Sequence, residues 1–483
     1  MRINSSVVRW LLPAQAGRGF SGPRGALGTN LQARAASSLR DKGSRQTIGS
    51  RSLPTDSPAP ISRAGASRRE SRLTRMRVVI HTQYFAPESG APQARLLQLA
   101  KGLKQAGHEI RVLTAMPNYP TGRVFPGYGG IRRRERIQGI DVVRSFIYAS
   151  RRFSINTRLA SYFSFVISSL VVGLFSLGRA DFVITESPPL FLGIAGYLLS
   201  TALRARWVFN VSDLWPESAV ELGIVRRGGL GHRLAVSLEG FCYRKAWLVS
   251  GQSSTIVEAI KARFAPSRTY HLSNGVDPSV FCPADASDAS PVHGGRVTAV
   301  YAGLHGLAQG LDQVIQAAVL LKDLDCLDFV LIGDGPSKPQ LVALSLAEQV
   351  KNVSFRDPLP PSSIPSVIAA ADICIVPLAA HLTGAVPSKL YEAMACAKPV
   401  VLVAEGEAAD IVRRTGTGIV VSPGDIEGLA NAIRHLSTHA EERMVMGRLG
   451  RQAALTTFNR PRIVDDFIGY LARDSQVPMM ATK

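Results

Sequence analysis

Two α/β domains of Rossmann type, with parallel sheets facing a central cleft, are the architecture this sequence predicts. Three observations carry that reading. From Met76 onward, short β-branched runs alternate with stretches of helical apolar spacing. The alternation breaks once, in a polar Pro/Ser/Asp/Gly stretch over 276–295, and then begins again. The length of 483 residues, with 46% hydrophobic and 19% charged residues, suits two or three cores of roughly 100–200 residues each.

The first domain is read over 76–275. Arg77 to Thr82 is a strand, and the loop YFAPESGAP follows it. Gln93 to Gln105 places Leu96, Leu97, Ala100 and Leu103 at helical spacing, and Gly107 closes that helix. HEIRVLT is the next strand, which completes a βαβ unit and favours a parallel sheet. The series resumes with the strand Asp181–Thr185, an apolar helix over 188–203 and the strand RWVFNV, which hands over to the loop SDLWPES. Ser254 is read as the cap of the helix TIVEAIKARF.

The second domain is read over 296–458. Its strands are VTAVYAG, DFVLIG, NVSFRD, ICIVPL, PVVLVA and GIVVSPG, separated by helical stretches. A last helix over 459–475 follows. In sheets of this kind ligands bind in the crevice outside the carboxyl ends of the strands.

Residues 1–75 hold 14 Lys+Arg against 3 Asp+Glu, so they supply +11 of the formal +20. A transit-like leader and a basic nucleic-acid-binding tail both have this composition, but a plain disordered extension is the simplest reading. The clean strand pattern at Met76 suggests that the functional chain starts there, and no nucleic-acid partner is expected. The five cysteines are scattered and odd in number, as in a reduced compartment. The nine histidines give no HExxH or other close ligand pair, so no metal is expected.

Three loops stand where a strand hands over to a helix, where exposed amides and the positive helix end suit a phosphate. In YAGLHG, Gly303 and Gly306 allow close backbone approach. In GDGP, Gly333 and Gly335 do the same. Either loop alone is also a plain tight turn. The third loop, TGAVPSKLYEAMACAKPVV, says more. Ser388 is placed to cap a helix starting at Lys389, and Lys389 and Glu392 share one face of its first turn. A cation beside exposed amides suits a diphosphate, and a carboxylate one turn deeper suits the two hydroxyls of a ribose. The same spacing fits an exposed ion pair worth ~0.5 kcal/mol. In the first domain Glu88 and Gly90 lie on the loop toward the cleft. Asp213 follows an apolar strand, and Trp215 beside it fits either a sugar face or the core.

As a set, these stretches resemble glycosyltransferase family 4, the retaining enzymes of GT-B fold. Within it they are most similar to the enzymes of bacterial surface polysaccharides, of the colanic-acid or L-fucosamine-transferase type. The carriers are QYFAPESGAPQARLLQLAKGLKQAGHEIRVLT, NVSDLWPES, SNGVDPSVF, YAGLHGLAQGLDQVIQAA, GDGP and AVPSKLYEAMACAKPVV. The resemblance implies sugar transfer from a nucleotide diphosphate, UDP by the subgroup, with no cofactor and no metal. It puts the second glutamate of the family's Glu-x7-Glu motif at Glu392, on the donor ribose. The first falls at Gly384, where the backbone of Ala385 and Val386 is left to substitute. The family's basic residues on the first loop fall at Leu304 and Gln309, which shifts diphosphate neutralisation to Lys389. Asp213 is assigned to the acceptor hydroxyl or the anomeric charge.

Residues 123–158 carry nine arginines, among them Arg132, Arg133, Arg134, Arg136, Arg151 and Arg152. Leu159 to Leu177 then runs without a charge. A core or membrane-surface helix is favoured over a span, because a strand follows within four residues. With the resemblance, this gives a cytoplasmic enzyme peripheral to the inner face of a bacterial membrane. Its arginines contact anionic lipid, and its acceptor is a polyprenyl-diphosphate-linked saccharide. The rival readings are a nucleotide-sugar 2-epimerase and a non-catalytic nucleotide-sugar-binding scaffold.

Overall fold

The computed structural model describes residues 75–475 except 89, 120, 152–154, 222, 224, 285–295 and 380–381. The basic extension up to 74, Arg152 and most of the expected linker therefore lie outside the described residues.

The first lobe holds an eight-stranded sheet: β1 (Arg77–His81), β2 (Glu109–Ala115), β3 (Arg132–Ile137), β4 (Ile140–Ser145), β5 (Phe182–Ser187), β6 (Arg206–Val211), β7 (Leu248–Gly251) and β8 (Thr269–His271). Their order is β3-β4-β2-β1-β5-β6-β7-β8, all parallel except the β3–β4 pair. The second lobe holds β9 (Val297–Ala302), β10 (Leu327–Ile332), β11 (Val353–Arg356), β12 (Ile373–Pro377), β13 (Val400–Val403) and β14 (Gly418–Val421). They form a fully parallel sheet in the order β11-β10-β9-β12-β13-β14.

Alternation along these strands builds a core on each face of each sheet. In the second lobe Val300, Val330, Cys374 and Val400 face one core, while Ala299, Phe329, Ile373 and Val401 face the other. The first lobe divides in the same way, with Val78 and Val112 on one side and Val79 and Leu113 on the other.

Several local expectations need correcting. Ser253, not Ser254, caps the helix Ser254–Phe264, accepting from the Ile256 amide. Ser388 is the first helical residue of Ser388–Ala395, and its side chain makes no capping bond; Pro387 holds the cap position. The start of the expected linker is firmly held. Val276 donates to the Phe458 carbonyl (2.8 Å) and accepts from the Arg460 amide (2.8 Å), so the two strands of chain that cross between the lobes are paired. The β3–β4 hairpin lies inside the arginine-rich region read only for its charge. Its turn, Gln138-Gly139, has positive φ at both residues (49° and 77°), as a type I′ hairpin requires.

The last helix, Arg460–Ser475, packs on the first lobe. Val464, Phe467, Ile468 and Leu471 join the core around Leu96, Leu99 and Leu103. Gly102 permits this, since a Cβ there would lie 2.5 Å from Val464 Cγ1. The helix Ile155–Ser176 packs Phe165, Val166 and Val172 inward. Its outward stripe of Phe163, Ile167, Val171, Leu174 and Phe175 stays exposed, Phe175 by 81%.

Candidate functional site

In the second sheet the order reverses between β9 and β12, and a ligand crevice belongs at such a switch point. The three loops singled out from the sequence follow β10, β9 and β12, three adjacent strands, so the fold gathers them at one end of the sheet.

The first two loops brace each other. The Gly303 amide donates to the Ile332 carbonyl (2.8 Å), the His305 amide to the Asp334 carbonyl (2.9 Å), and the Gly333 amide to the Arg356 carbonyl (3.1 Å). A Cβ at Gly333 would lie 1.9 Å from the Gly303 carbonyl oxygen, and one at Gly335 2.3 Å from that of His305. Glycine is required at 333 and 335 so that one loop can lie on the other, a reason separate from the ligand approach expected of them. Gly306 is buried beneath the Gln309 side chain, whose Oε1 a Cβ at 306 would meet at 2.7 Å. His305 is fully buried against Tyr301, and burial, reinforced by Lys338, pushes its pKa down to about 4, so it is a neutral ring in the floor of the site.

Lys389 lies across this floor. A Cβ on Gly303 would fall 2.2 Å from Lys389 Cε, and Nζ stands 5.4 Å from the Tyr301 ring centroid. Burial lowers the Lys389 pKa from its ordinary value, and the charge of Glu392 opposes that shift. Among the described residues neither Lys389 nor Glu392 forms a hydrogen bond or an ion pair, so the exposed-pair reading of their spacing does not hold. The charge of Glu392 also reaches Arg460, the first residue of the returning helix. The Ala385 amide, expected to face the ligand, donates instead to the Leu382 carbonyl (3.0 Å). The amides of Val386 and Ser388 have no backbone acceptor among the described residues. The open donors thus include these two amides at a helix start, with the Lys389 ammonium, which has no hydrogen-bond or ion-pair partner among the described residues, beside them.

Gly384 marks where the lobes touch. Its φ is +74°, and a Cβ would meet Ile256 Cγ1 at 2.6 Å and Ser253 Oγ at 3.0 Å, both in the first lobe. Beside it Thr383 donates from its amide and hydroxyl to Glu221 (3.2 and 2.6 Å). Further along, Glu407 accepts from the Ser254 and Thr255 amides (2.9 and 2.7 Å), so a second-lobe carboxylate caps a first-lobe helix. Tyr119 of the first lobe lies near enough to add to the burial that raises the Tyr301 phenol. Sequence reasoning missed Glu221, Thr383 and Glu407. Only the position of Glu407 at a helix start, in GEAAD, offered a signal.

The first-lobe candidates fare unevenly. Asp213 is half-buried at the end of β6, where its Oδ2 accepts from the Ser218 hydroxyl (2.9 Å). Burial, then the nearby Glu221 charge, raises its pKa. Gly90 is the exposed N-cap of the helix Ala91–Gln105. Trp215 packs edge-on against Phe191 at 5.6 Å, as part of the core margin. Glu88 is not available to an acceptor. It is buried, and its carboxylate accepts from the amides of Phe85 (3.1 Å), Asn118 (2.7 Å) and Tyr119 (2.8 Å), tying two loops together.

Two known families match this chain. Residues 90–275 match the family described as "Glycosyl transferase 4-like domain", and residues 285–453 match "Glycosyl transferases group 1". The chain belongs to glycosyltransferase family 4. WcaI of Escherichia coli (strain K12), named for colanic acid biosynthesis glycosyl transfer, is 25% identical to this glycosyltransferase over 407 residues, covering 81% of the chain and 99% of WcaI. WbjE of Pseudomonas aeruginosa, named as a glycosyltransferase, is 29% identical over 264 residues, covering 53% of the chain and 66% of WbjE. Among solved structures, sucrose-phosphate synthase from Thermosynechococcus elongatus superposes with a TM-score of 0.66 at 18% identity, over 82% of the chain and 98% of that structure. HepE of Anabaena, solved with UDP and glucose, gives 0.63 at 19%, over 83% and 100%. These likenesses establish the GT-B fold of the glycosyltransferase.

Proposed function

We propose that this glycosyltransferase moves a sugar from UDP, with retention of configuration and without a metal, onto a polyprenyl-diphosphate-linked saccharide in bacterial surface-polysaccharide assembly. One observation carries the reading: the Lys389 ammonium, without a hydrogen-bond or ion-pair partner among the described residues, laid over Gly303 beside the open amides of Val386 and Ser388. A diphosphate there would meet a cation and a positive helix end, and both gain most as charge develops on the leaving oxygen. That charge neutralisation is the role a metal ion would otherwise fill. Glu392, one turn deeper, accepts the ribose hydroxyls. The leaving oxygen takes the acceptor proton on the same face, and Asp213 at the β6 end orients the acceptor hydroxyl. The names of WcaI and of HepE, the latter solved with UDP and glucose, support the polysaccharide setting and the nucleotide. The relatives quoted above bear transferase or synthase names where their names state an activity, which favours transfer over epimerisation or scaffolding.

The membrane setting, at the inner face of the cytoplasmic membrane, rests on the exposed stripe of the Ile155–Ser176 helix, continued by Ile194 and Leu198. Arg132 and Arg134 reach its C-terminal end at Ser176 (both 3.4 Å). Not every arginine of the region serves this face. Arg144 is buried, ion-paired with Glu135 and bonded to the Ala115 carbonyl. An apolar stripe edged by arginines suits an anionic lipid surface, at ~1 kcal/mol per exposed arginine.

Thermal shifts across a panel of nucleotide sugars test the donor. The true donor at 100 times its Kd stabilises by ~2.7 kcal/mol, and transfer to a lipid-linked acceptor then proceeds in EDTA. A sugar converted without any acceptor, or no shift from any nucleotide sugar, overturns the proposal. Flotation with anionic against neutral vesicles tests the membrane face, and equal binding to both removes the arginines from it.

A further inference from the structure

We propose that His435, His439 and Glu442 form a binding site for a divalent transition-metal ion of the zinc class, on the second lobe away from the sugar-transfer site. His435 lies in the last turn of the helix Ile426–Thr438. His439 follows that helix, and Glu442 stands in the first turn of the helix Ala440–Thr456. The sequence reading found no close histidine pair. The structure corrects it, because the spacings of four and three bring all three residues to one side even though the chain bends at His439 (φ −110°, ψ 76°).

Three features make these side chains a ligand set. One ligand atom from each lies within 4.8 Å of the others, close enough for a single ion to reach all three. The two imidazoles stack with centroids 4.0 Å apart and planes 21° from parallel, so they are already held side by side. His439 Nδ1 is 2.8 Å from the His435 carbonyl oxygen and 2.9 Å from Thr438 Oγ1. Donation from Nδ1 to that carbonyl leaves Nε2 as a lone pair, the arrangement that metal-bound histidines commonly use. His435 Nε2 already faces Glu442 Oε2 at 2.8 Å. That pair is 41% and 48% exposed, so it holds its partners only weakly against a metal. The neighbouring cation, Arg443, is turned to the carbonyls of Leu436 and Ser437.

Two nitrogens and one carboxylate suit a borderline-soft ion with water in a fourth position, and suit magnesium or calcium poorly. The helix that carries His435 starts beside Gly424, which donates to Gln313 (2.6 Å) near the Gly310 end of the first loop. His435 lies nine residues beyond the helix start at Ile426, ~14 Å along the axis at ~1.5 Å per residue. The ion therefore clips two helices together and takes no part in transfer.

Calorimetric titration of the tag-free, full-length protein with ZnCl2 tests the site, beside His439→Ala and the double variant His435→Ala/His439→Ala, with circular dichroism confirming that each folds. The wild type should show one saturable site that raises its melting temperature and is reversed by EDTA. His439→Ala should weaken binding by at least about tenfold, the loss that even an outer-sphere partner causes, and the double variant should abolish it. Transfer activity should be the same in all three, with or without EDTA. An unchanged titration in the double variant would assign the zinc to exposed thiols such as Cys282 and Cys326 and overturn the proposal, as would a wild type with no saturable site.

Discussion

The strand ends of the two lobes handle their ionisable groups in opposite ways. In the first lobe, two carboxylates near the strand ends are already occupied. Glu88 holds three amides, and Glu186 is buried against Arg95 (2.5 Å) and Asn210 (2.6 Å). In the second lobe Lys389 and Glu392 stand at a helix start with no hydrogen-bonding partner among the described residues. A satisfied buried charge fixes the shape of its surroundings, whereas one left open is held ready for a ligand that will satisfy it. On this comparison Glu88 and Glu186 fix local structure in the first lobe, and the second lobe is where binding energy is released.

The sharpest way to break the comparison is Lys389→Met. Transfer should fall by ~10²–10³, the scale seen when one donor to a developing oxyanion is removed, and the thermal shift caused by UDP should vanish. The unliganded protein should melt no lower, and somewhat higher, because burial disfavours the ammonium. The sign follows from linkage. With its folded pKa lowered, the charged lysine carries a penalty at neutral pH that is relieved as pH rises through that lowered value. Donor affinity moves the other way and weakens over the same rise. A variant that melts lower and still shifts with UDP would make Lys389 structural.

Glu392→Ala is the next test. Losing the ribose contact should cut transfer by ~10², mostly through weaker donor binding, since a good charged hydrogen bond is worth ~1.5–3 kcal/mol. Stability should hold within ~0.5 kcal/mol, because no hydrogen-bonding partner among the described residues is left behind. Steady-state kinetics and a melt of the same sample check both halves, and full activity would remove Glu392 from the donor site.

These two residues were legible in the sequence because the start of an amphipathic helix after an apolar strand is a local signal. The strands were legible for the same reason: buried parallel strands such as VVLV read as continuous apolar runs. The β3 strand, RRRERI, was not, since an exposed edge strand carries no apolar alternation; only its Gln138-Gly139 turn announced it. The cross-lobe contacts were beyond reach for a different reason. Ser254 and Glu407 are 153 positions apart, and Thr383 and Glu221 are 162 apart, so nothing in either local pattern names the partner. Glu88 misled because its loop does lie at the strand ends, while two of the amides that occupy it come from 30 and 31 residues away.

Glu88→Ala sharpens the comparison from the first lobe. Three buried or part-buried amides lose a charged acceptor, so stability should drop by ~3 kcal/mol. UDP should still raise the melting temperature by as much as in the wild type, because the second lobe is untouched. Loss of transfer at full stability would instead place Glu88 on the acceptor and undo the division of labour between the lobes.

The smallest effect belongs to Glu407, a second-lobe carboxylate that is satisfied by the other lobe. Burial tends to raise its pKa, but the amides of Thr255 and Ser254 overrule burial and leave it lowered. A carboxylate lowered on folding contributes stability above its ordinary range, and that contribution is lost as pH falls through the lowered value. Glu407→Gln keeps one acceptor, turns an amide donor toward the second N–H and removes a charge from a helix start. It should cost ~1 kcal/mol near neutral pH. Melting curves of both proteins taken down the acid range should converge as the wild-type carboxylate takes up its proton. Curves that keep their separation after protonation would mean that the charge of Glu407 does not hold the lobes together.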